Sequence, residues 1–211
     1  MGNDNSRETV EKLLMSAKKE FSEKGYMKAS LRNICKEAGV TTGALYFFFK
    51  DKDDLFKGVV GGPVQELRTC IEKHMSEELE ELDRYRPGMQ VDLEDDMAAA
   101  TEAVKILFKH KEVFEILLTK AQGSSMENVI DDIADAMNKH YTDMFWNMKG
   151  YKSRKQMTKE DKFIVHWMSH DQVELFVHLL THCKTEKEAL KQLRGMFSYI
   201  IGGWFGVINN T

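Results

Sequence analysis

The chain has 211 residues, enough for one sizeable domain or for a small domain joined to a larger one. Its 42% hydrophobic and 30% charged residues exclude a disordered tail and permit a well-buried core. The net charge of −4 is uneven: residues 1–57 carry eleven Lys and Arg against nine Asp and Glu, and residues 58–211 carry nineteen against twenty-five. This asymmetry is weak support for a first segment that contacts nucleic acid.

The residue types favour helices throughout. Only two prolines, Pro63 and Pro87, interrupt the chain, and strand-forming residues are not gathered into alternating runs, so we predict an all-α fold. The three cysteines are odd in number and form no Cys-x-x-Cys pair, which argues against a disulfide framework or a structural zinc site. The first residues are polar, and no apolar run approaches membrane-spanning length, so we expect a cytoplasmic protein without a membrane partner.

Two helices are predicted at the start of the chain. Apolar residues recur three and four positions apart over residues 6–24, which indicates an amphipathic helix, and Gly25 supplies its stop. A second helix begins at Ser30, a good N-cap, and ends at Gly39. Leu31, Ile34, Cys35 and Ala38 lie on one face of this second helix.

The next two helices follow closely. The hydroxyls of Thr41 and Thr42 are expected to cap a short third helix, and Asp51 to cap a fourth that starts at Lys52. The run Gly61-Gly62-Pro63 predicts a kink or a short break before the fourth helix resumes through about residue 81.

The rest of the chain shows five further periodic stretches. Arg86-Pro87-Gly88 is its strongest turn signal. Thr158 is a plausible N-cap, and Thr185 with Glu188 has the spacing of a capping box. The five predicted helices cover residues 92–109, 111–122, 126–148, 159–182 and 186–208.

The second and third helices have the layout of a helix-turn-helix. Gly39 provides the turn, and the small polar start of the third helix would enter the major groove, where Thr41 and Thr42 reach base edges or phosphates. An ordinary helical hairpin would explain the aromatic residues here but not the Gly-Val-Thr-Thr-Gly spacing. The side chains expected to form the miniature core are Leu31, Ile34, Ala38, Val40 and Leu45.

The run from Ser30 to Leu55 resembles the signature of the tetracycline-repressor-type (TetR) family. The shared positions are Ile34-Cys35, Ala38-Gly39-Val40, Gly43-x-Leu45-Tyr46, Phe49 and Lys52-Asp53-x-Leu55, and Phe21-x-x-Lys24-Gly25-Tyr26 is similar to the end of the family's first helix. The resemblance spans residues 7–57. Two positions depart from it: Phe48 stands where His or Tyr is frequent, and Cys35 where Ala is usual.

The resemblance implies an architecture and a function. It implies a three-helix DNA-binding domain at 7–57, a larger ligand-binding and dimerisation domain at 58–211, and about nine helices. The function implied is a homodimeric regulator, more often a repressor than an activator, whose operator affinity changes when an effector binds. The residues we expect to contact double-stranded operator DNA are Arg32, Thr41, Thr42, Gly43, Ala44, Tyr46, Phe47 and Lys52.

The second predicted domain offers material for a dimer interface and for a pocket. By the resemblance, the last two helices form the homodimer interface. Aromatic and methionine side chains on the middle helices could enclose a largely apolar small molecule, although such residues usually form plain core. The candidates are Phe108, Phe114, Met137, Tyr141, Phe145, Trp146 and Trp167.

Two alternatives stay open. Histidines 166, 170, 178 and 182 recur at multiples of four residues, but such a stripe drifts around the helix, so only adjacent pairs could share an ion. A polar flank of the dimer seam explains the stripe better than metal sensing, and we predict no metal site and no cofactor. The chain shows no spacing of a nucleophile, base and acid, so we expect no enzyme; a carrier or enzyme with a vestigial helix-turn-helix is the alternative.

Overall fold

The structure is a computed structural model that describes the backbone of residues 2–80 and 94–210 and the side chains of residues 5–80, 94 and 96–209. Within these residues it is all-α and contains no strand, which confirms the predicted fold class. A short 3-10 turn lies at Arg154–Gln156. The helices are α1 (Gly2–Lys28), α2 (Leu31–Ala38), α3 (Thr42–Phe48), α4 (Lys52–Glu80), α5 (Glu94–Lys109), α6 (Lys111–Lys120), α7 (Val129–Met148), α8 (Lys159–His182) and α9 (Glu186–Asn210).

The predicted caps lie where the sequence places them. Ser30 and Thr41 accept hydrogen bonds from the third residue after them, and Asp51 accepts one from the amide of Asp54 at 2.9 Å. Thr158 forms a complete capping box with Asp161. Because these bonds satisfy amides that a helix start leaves unpaired, they fix where four helices begin.

One predicted interruption agrees with the structure and one differs. Gly25 has φ 72° and ψ 163°, which are not helical values, so the first straight stretch of α1 ends there as predicted, and a short second stretch continues to Lys28. Helix α4 runs unbroken through Pro63, which corrects the expected break. The neighbours Val60 and Val64 are buried, and their packing offsets the backbone hydrogen bond that proline removes. The predicted turn at Arg86-Pro87-Gly88 lies outside the described residues.

The chain divides into two compact units. The first, here called the head unit, comprises residues 1–66 and 110–129; the second, the C-terminal unit, comprises residues 67–109 and 130–211. Helix α4 contributes residues to both. The observed division differs from the predicted boundary after residue 57, because the head unit extends to residue 66 and includes residues 110–129. The predicted domains, 7–57 and 58–211, stay a prediction.

The head unit has an aromatic core. The rings of Phe21 and Phe56 meet edge to face with centroids 4.9 Å apart, and Tyr26 lies 5.2 Å from Phe56. Leu13 and Ile116 are also fully buried. Helices α1, α4 and α6 therefore contribute side chains to the buried interior that supports α2 and α3.

The C-terminal unit has two apolar clusters. One joins α5, α8 and α9 around Val104, Leu179 and Leu193. The other joins α7, α8 and α9 around Phe145 and Trp204, whose rings lie 5.9 Å apart. No described helix is both long and apolar enough to span a membrane.

Candidate functional site

The turn between α2 and α3 is held by backbone hydrogen bonds. Gly39 adopts the left-handed conformation, with φ 69° and ψ 29°. Its amide donates to the Lys36 carbonyl, and the amide of Val40 donates to the Cys35 carbonyl at 2.9 Å. This pair of bonds is the Schellman arrangement, in which glycine avoids the strain that a Cβ would bring. The turn fixes the angle at which α3 leaves α2.

Helix α3 separates a buried face from an exposed one. Leu45 is buried, together with Ile34 and Ala38 of α2, whereas Tyr46 is 54% and Phe47 80% exposed. The partly buried residues of the predicted miniature core are Leu31 and Val40. Aromatic side chains this exposed contribute little burial to the protein's own core. The outer face of α3 is therefore available to a partner.

The start of α3 presents small polar groups. Thr41 Oγ1 accepts from the Ala44 amide at 3.2 Å, while Thr42 and Gly43 are exposed. Burial raises the pKa of the Cys35 thiol, and a hydrogen bond with the Thr42 side chain opposes this rise in part. The two threonines therefore hold the local structure and still face solvent.

Lys52 has a structural contact that sequence reasoning missed. Its ammonium donates to the carbonyl of Tyr26 at 2.8 Å and to that of Met27 at 3.4 Å, and it lies 4.6 Å from the centre of the Tyr26 ring. Arg32, by contrast, is exposed. Among the predicted DNA contacts, Lys52 is thus the one that also anchors α4 to the end of α1.

A buried carboxylate links α1 to α2. Glu20 accepts hydrogen bonds from Lys24 at 2.8 Å, from the Ser30 amide at 3.0 Å and from Asn33 Nδ2 at 3.5 Å. Burial acts to raise the pKa of Glu20, but these hydrogen bonds and the charge of Lys24 outweigh it, so the pKa lies below its ordinary value. The charged carboxylate therefore stabilises the start of α2.

Residues 110–129 support the head from the side, which the sequence did not indicate. Asp53 accepts from the amide of Ser125 at 2.8 Å and from its hydroxyl at 2.7 Å. His110 Nε2 lies 2.8 Å from a carboxylate oxygen of Glu66. Burial acts to raise the pKa of Asp53, but the two bonds from Ser125, with Lys57, lower it overall. The segment after α6 is therefore fastened to the first turn of α4.

Comparison with known proteins agrees with this layout. Residues 13–59 match the family described as "Bacterial regulatory proteins, tetR family". They include α2, α3 and the turn at Gly39, which carry the exposed face described above.

The curated relatives are similar to this chain over a short stretch. The HTH-type transcriptional repressor BepR of Brucella suis biovar 1 (strain 1330) is 44% identical over 54 residues, which are 26% of this chain and 26% of that protein. The HTH-type transcriptional regulator AcrR of Shigella flexneri is 46% identical over 54 residues, 26% of this chain and 25% of that protein. The chain therefore spans about a quarter of the length of these relatives.

Solved structures extend the likeness to the whole fold. A transcriptional regulator (TerR/AcrR family) from Aquifex aeolicus VF5 has a TM-score of 0.59 at 19% identity, covering 91% of this chain and 99% of that chain. NalD of Pseudomonas aeruginosa, the secondary repressor of the MexAB-OprM multidrug efflux pump, has a TM-score of 0.55 at 20% identity, covering 91% and 96%. These regulators share the fold of this chain.

The C-terminal unit contains a cleft. Its walls combine apolar side chains, including Met144, Met168 and Trp204, with a polar corner formed by His74, Glu78 and Asp96. The free space inside it is about 40 Å³, room for a few water molecules, so a larger ligand would have to widen the cleft. An apolar cleft with a few convergent polar groups is the common form of a small-molecule site.

Of the seven predicted pocket residues, only Tyr141 lines this cleft. Phe114 belongs to the head unit, and Phe145 is fully buried in the core. Trp167 is half exposed and lines a shallower groove of α7 and α8. Phe108 and Trp146 pack against the two apolar clusters, and Met137 is buried. The sequence could not single out the cleft, because aromatic residues that line a cleft and those that pack in the core recur at the same helical spacing.

The histidine stripe of α8 forms two close pairs. The rings of His166 and His170 lie 4.6 Å apart, and those of His178 and His182 lie 3.9 Å apart. His182 Nδ1 contacts the His178 carbonyl at 3.1 Å and the Thr181 hydroxyl at 2.9 Å. The stripe lies largely on the surface and does not meet the polar corner of the cleft.

Helices α8 and α9 also expose large apolar side chains. Phe163 and Trp167 are exposed on α8, and Tyr199 is exposed on α9. Gly195 and Gly202, four and three residues from Tyr199, have open space where a Cβ would lie. These residues give the last two helices an outer apolar surface that the described part of the chain leaves exposed.

Proposed function

We propose that this protein is a homodimeric transcriptional repressor that binds operator DNA and whose operator affinity is changed by a small molecule bound in the C-terminal unit. The observation that carries the proposal is the outer face of α3. It presents Thr42, Gly43, Tyr46 and Phe47 to solvent beside the turn at Gly39, within the segment that matches the tetR family.

In the proposed complex the start of α3 enters the major groove. Gly43 and Ala44 allow close approach of the backbone, while Thr41 and Thr42 reach base edges or phosphates. The ring of Phe47 would contact apolar groups such as a thymine methyl. The exposed positions of these side chains, and the buried Leu45 behind them, support the assignment.

Phosphate contacts would come from the flanks of this surface. Arg32 is exposed on α2, and the Tyr46 hydroxyl is free to face the backbone of the duplex. Lys52 would take part only with the donor capacity left by its bonds to the carbonyls of α1, since an ammonium has three donors. We therefore assign Lys52 a mixed role, mainly in holding the head together.

The homodimer is proposed to form through α8 and α9. The exposed Phe163, Trp167 and Tyr199 supply apolar surface, and the glycines of α9 allow close approach of a partner helix. A dimer would present two heads, which suits the two half-sites of a palindromic operator. We expect such a protein to act in the cytoplasm.

The effector is proposed to occupy the cleft of the C-terminal unit. The apolar wall suits a largely apolar molecule, as predicted, and the polar corner supplies groups that would orient it. Coupling requires that the ligand bind more tightly to a dimer with one distance between its two heads than to a dimer with another. Operator DNA must also prefer one of these two states, either the same one as the ligand or the other.

The test is binding of the full-length protein to the DNA flanking its own gene and to sites selected from a random library. Replacing Arg32 and Tyr46 together by Ala should weaken operator binding at least about tenfold, since each contact contributes on the order of 1–3 kcal/mol. Lys191→Ala, which removes an exposed cation from the C-terminal unit, is the matched control and should change little. Unchanged affinity in the double variant would show that the assigned surface is wrong.

A second outcome bears on the alternative function. If the wild-type protein selects no DNA, with or without small molecules that bind the cleft, a carrier or enzyme on the same fold becomes the better account. The named relatives are regulators, which supports a protein without catalytic activity.

A further inference from the structure

The polar corner of the C-terminal cleft brings three metal-ligating side chains together. His74 and Glu78 lie one turn apart on α4, and Asp96 lies in the first turn of α5. One ligand atom from each falls within 4.8 Å of the other two. His74 Nε2 is 3.5 Å from Asp96 Oδ1 and 3.7 Å from Glu78 Oε2. Residues one helical turn apart share a face, so the two α4 side chains converge on α5.

Both carboxylates of this corner are withdrawn from water. Glu78 is 9% and Asp96 7% exposed. Burying an ionised carboxylate is costly unless charge and hydrogen bonds compensate for lost hydration. Two buried carboxylates beside one imidazole therefore place two oxygen ligands and one nitrogen ligand at the same corner.

A second histidine, on α7, supports Glu78. His140 is 3% exposed, and its Nε2 lies 2.8 Å from Glu78 Oε2. Because an ionised carboxylate can only accept a hydrogen bond, the hydrogen of this contact lies on Nε2. His140 then donates a hydrogen bond that orients the Glu78 carboxylate.

The distances in the corner fit a bound ion. Ligand atoms around tetrahedral Zn²⁺, with bonds of 2.0–2.1 Å, are separated by roughly 3.3–3.5 Å. The separations from His74 Nε2 are close to that edge length and need only small side-chain movements. The donation from His140 to Glu78 is the arrangement by which an outer residue positions a metal ligand.

From this geometry we infer that the C-terminal unit binds one divalent first-row transition ion of the Zn²⁺ type through His74, Glu78 and Asp96. Imidazole nitrogen favours such an ion over Mg²⁺ or Ca²⁺, which prefer an all-oxygen set. Three protein ligands leave a fourth position on the side of the cleft, open to water or to a ligand. His140 is a positioning residue. The site is distinct from the histidine stripe of α8, and it does not depend on the proposed binding of DNA.

The test is a titration of the metal-free full-length protein with Zn²⁺ by calorimetry, and with Co²⁺ by visible absorption. We expect one strong site per chain and a Co²⁺ spectrum of four-coordinate intensity. Glu78→Gln and Asp96→Asn keep the side-chain volume and remove the charge, and each should weaken binding at least about tenfold. His140→Gln should weaken it about 10–100-fold, as expected for an outer positioning residue.

Surface histidines require their own control. A variant with His166, His170, His178 and His182 replaced by Ala should keep the strong site, because none of these residues lies in the corner. Circular dichroism checks that each variant is folded. A further variant, His74→Ala, removes the nitrogen ligand; if it does not fold, the two isosteric carboxylate variants still test the site. A strong site that vanishes with the stripe, or that survives both carboxylate variants, would overturn the inference, as would the absence of stoichiometric binding by the wild type.

Discussion

The head unit and the C-terminal unit differ in how closely they follow known proteins. Residues 13–59 match the tetR-family description, and identity to the curated repressor and regulator is 44–46% over 54 residues, whereas full-length structural neighbours are only 19–20% identical. The turn at Gly39 and the cap at Thr41 each require a particular residue type. The C-terminal unit requires only helices of suitable length with apolar stripes, which many sequences supply.

The largest loss of stability should come from removing a buried aromatic ring from the core of either unit. Phe21→Ala in the head unit and Phe145→Ala in the C-terminal unit each remove a fully buried ring, at a cost of about 3–5 kcal/mol in the free energy of unfolding. Hydrogen exchange measured by mass spectrometry should rise first in the unit that carries the substitution. Equal acceleration in both units after either change would show that they do not behave as separate units.

The next effect concerns Glu20 and pH. Glu20→Gln should lower the stability of the head unit by about 1.5–3 kcal/mol at neutral pH, because a charged acceptor of three hydrogen bonds is lost. The pKa of Glu20 is depressed on folding, so its contribution is present above the unfolded value of about 4.3 and is lost as pH falls through the folded pKa.

The measurement for Glu20 is urea unfolding between pH 7 and pH 3. The wild type and the Gln variant should converge in stability at the acid end. Glu8→Gln removes an exposed carboxylate that pairs with Lys12 and serves as the control, with a much smaller change expected. A gap between wild type and Glu20→Gln that stays constant with pH would contradict the assigned role.

A smaller effect separates the two roles of Lys52. Lys52→Ala should lower the free energy of unfolding of the head unit by about 1 kcal/mol, because its bonds to the Tyr26 and Met27 carbonyls are lost. The effect is modest because these bonds are only partly shielded from water. Lys50→Ala, in which an exposed neighbour is shortened, should leave the melting temperature nearly unchanged. If Lys52→Ala weakens DNA binding without lowering stability, the phosphate contact is its main role.

The smallest effects come from two glycines of the head unit. Gly39→Ala should cost about 1 kcal/mol, because its φ of 69° strains an L-residue. Gly61→Ala, in helix α4 with open space around the Cβ position, should instead stabilise by about 0.5–1 kcal/mol. Opposite signs in thermal melts would confirm that glycine is required at position 39 but not at position 61; equal signs would contradict it.

The sequence predicted the helices and the turn at Gly39 well because their signals are local. Side chains that cap a helix accept short-range hydrogen bonds from the first helical turn, so they can be predicted from the sequence. The four predicted caps that lie at helix starts in the structure are Ser30, Thr41, Asp51 and Thr158. The DNA-contacting residues remain a prediction, although α3 exposes most of them. The unbroken α4 was missed, since the burial of Val60 and Val64 beside Pro63 depends on tertiary packing.

The contacts that sequence reasoning missed join distant parts of the chain. Asp53 and Ser125 are 72 positions apart, and Glu78 and His140 are 62 apart. No periodicity or spacing rule relates such positions in a single sequence. The same limit explains why the pocket residues were drawn from aromatic side chains, of which Tyr141 alone lines the cleft.

The most direct test of the account is the salt dependence of operator binding by the full-length protein. For a selected operator, the logarithm of affinity should fall linearly with the logarithm of salt concentration, and Arg32→Ala should reduce that slope by about one phosphate contact. A scrambled site should bind far more weakly at every salt concentration. Binding that shows neither sequence preference nor salt dependence would contradict the proposal that the outer face of α3 reads DNA.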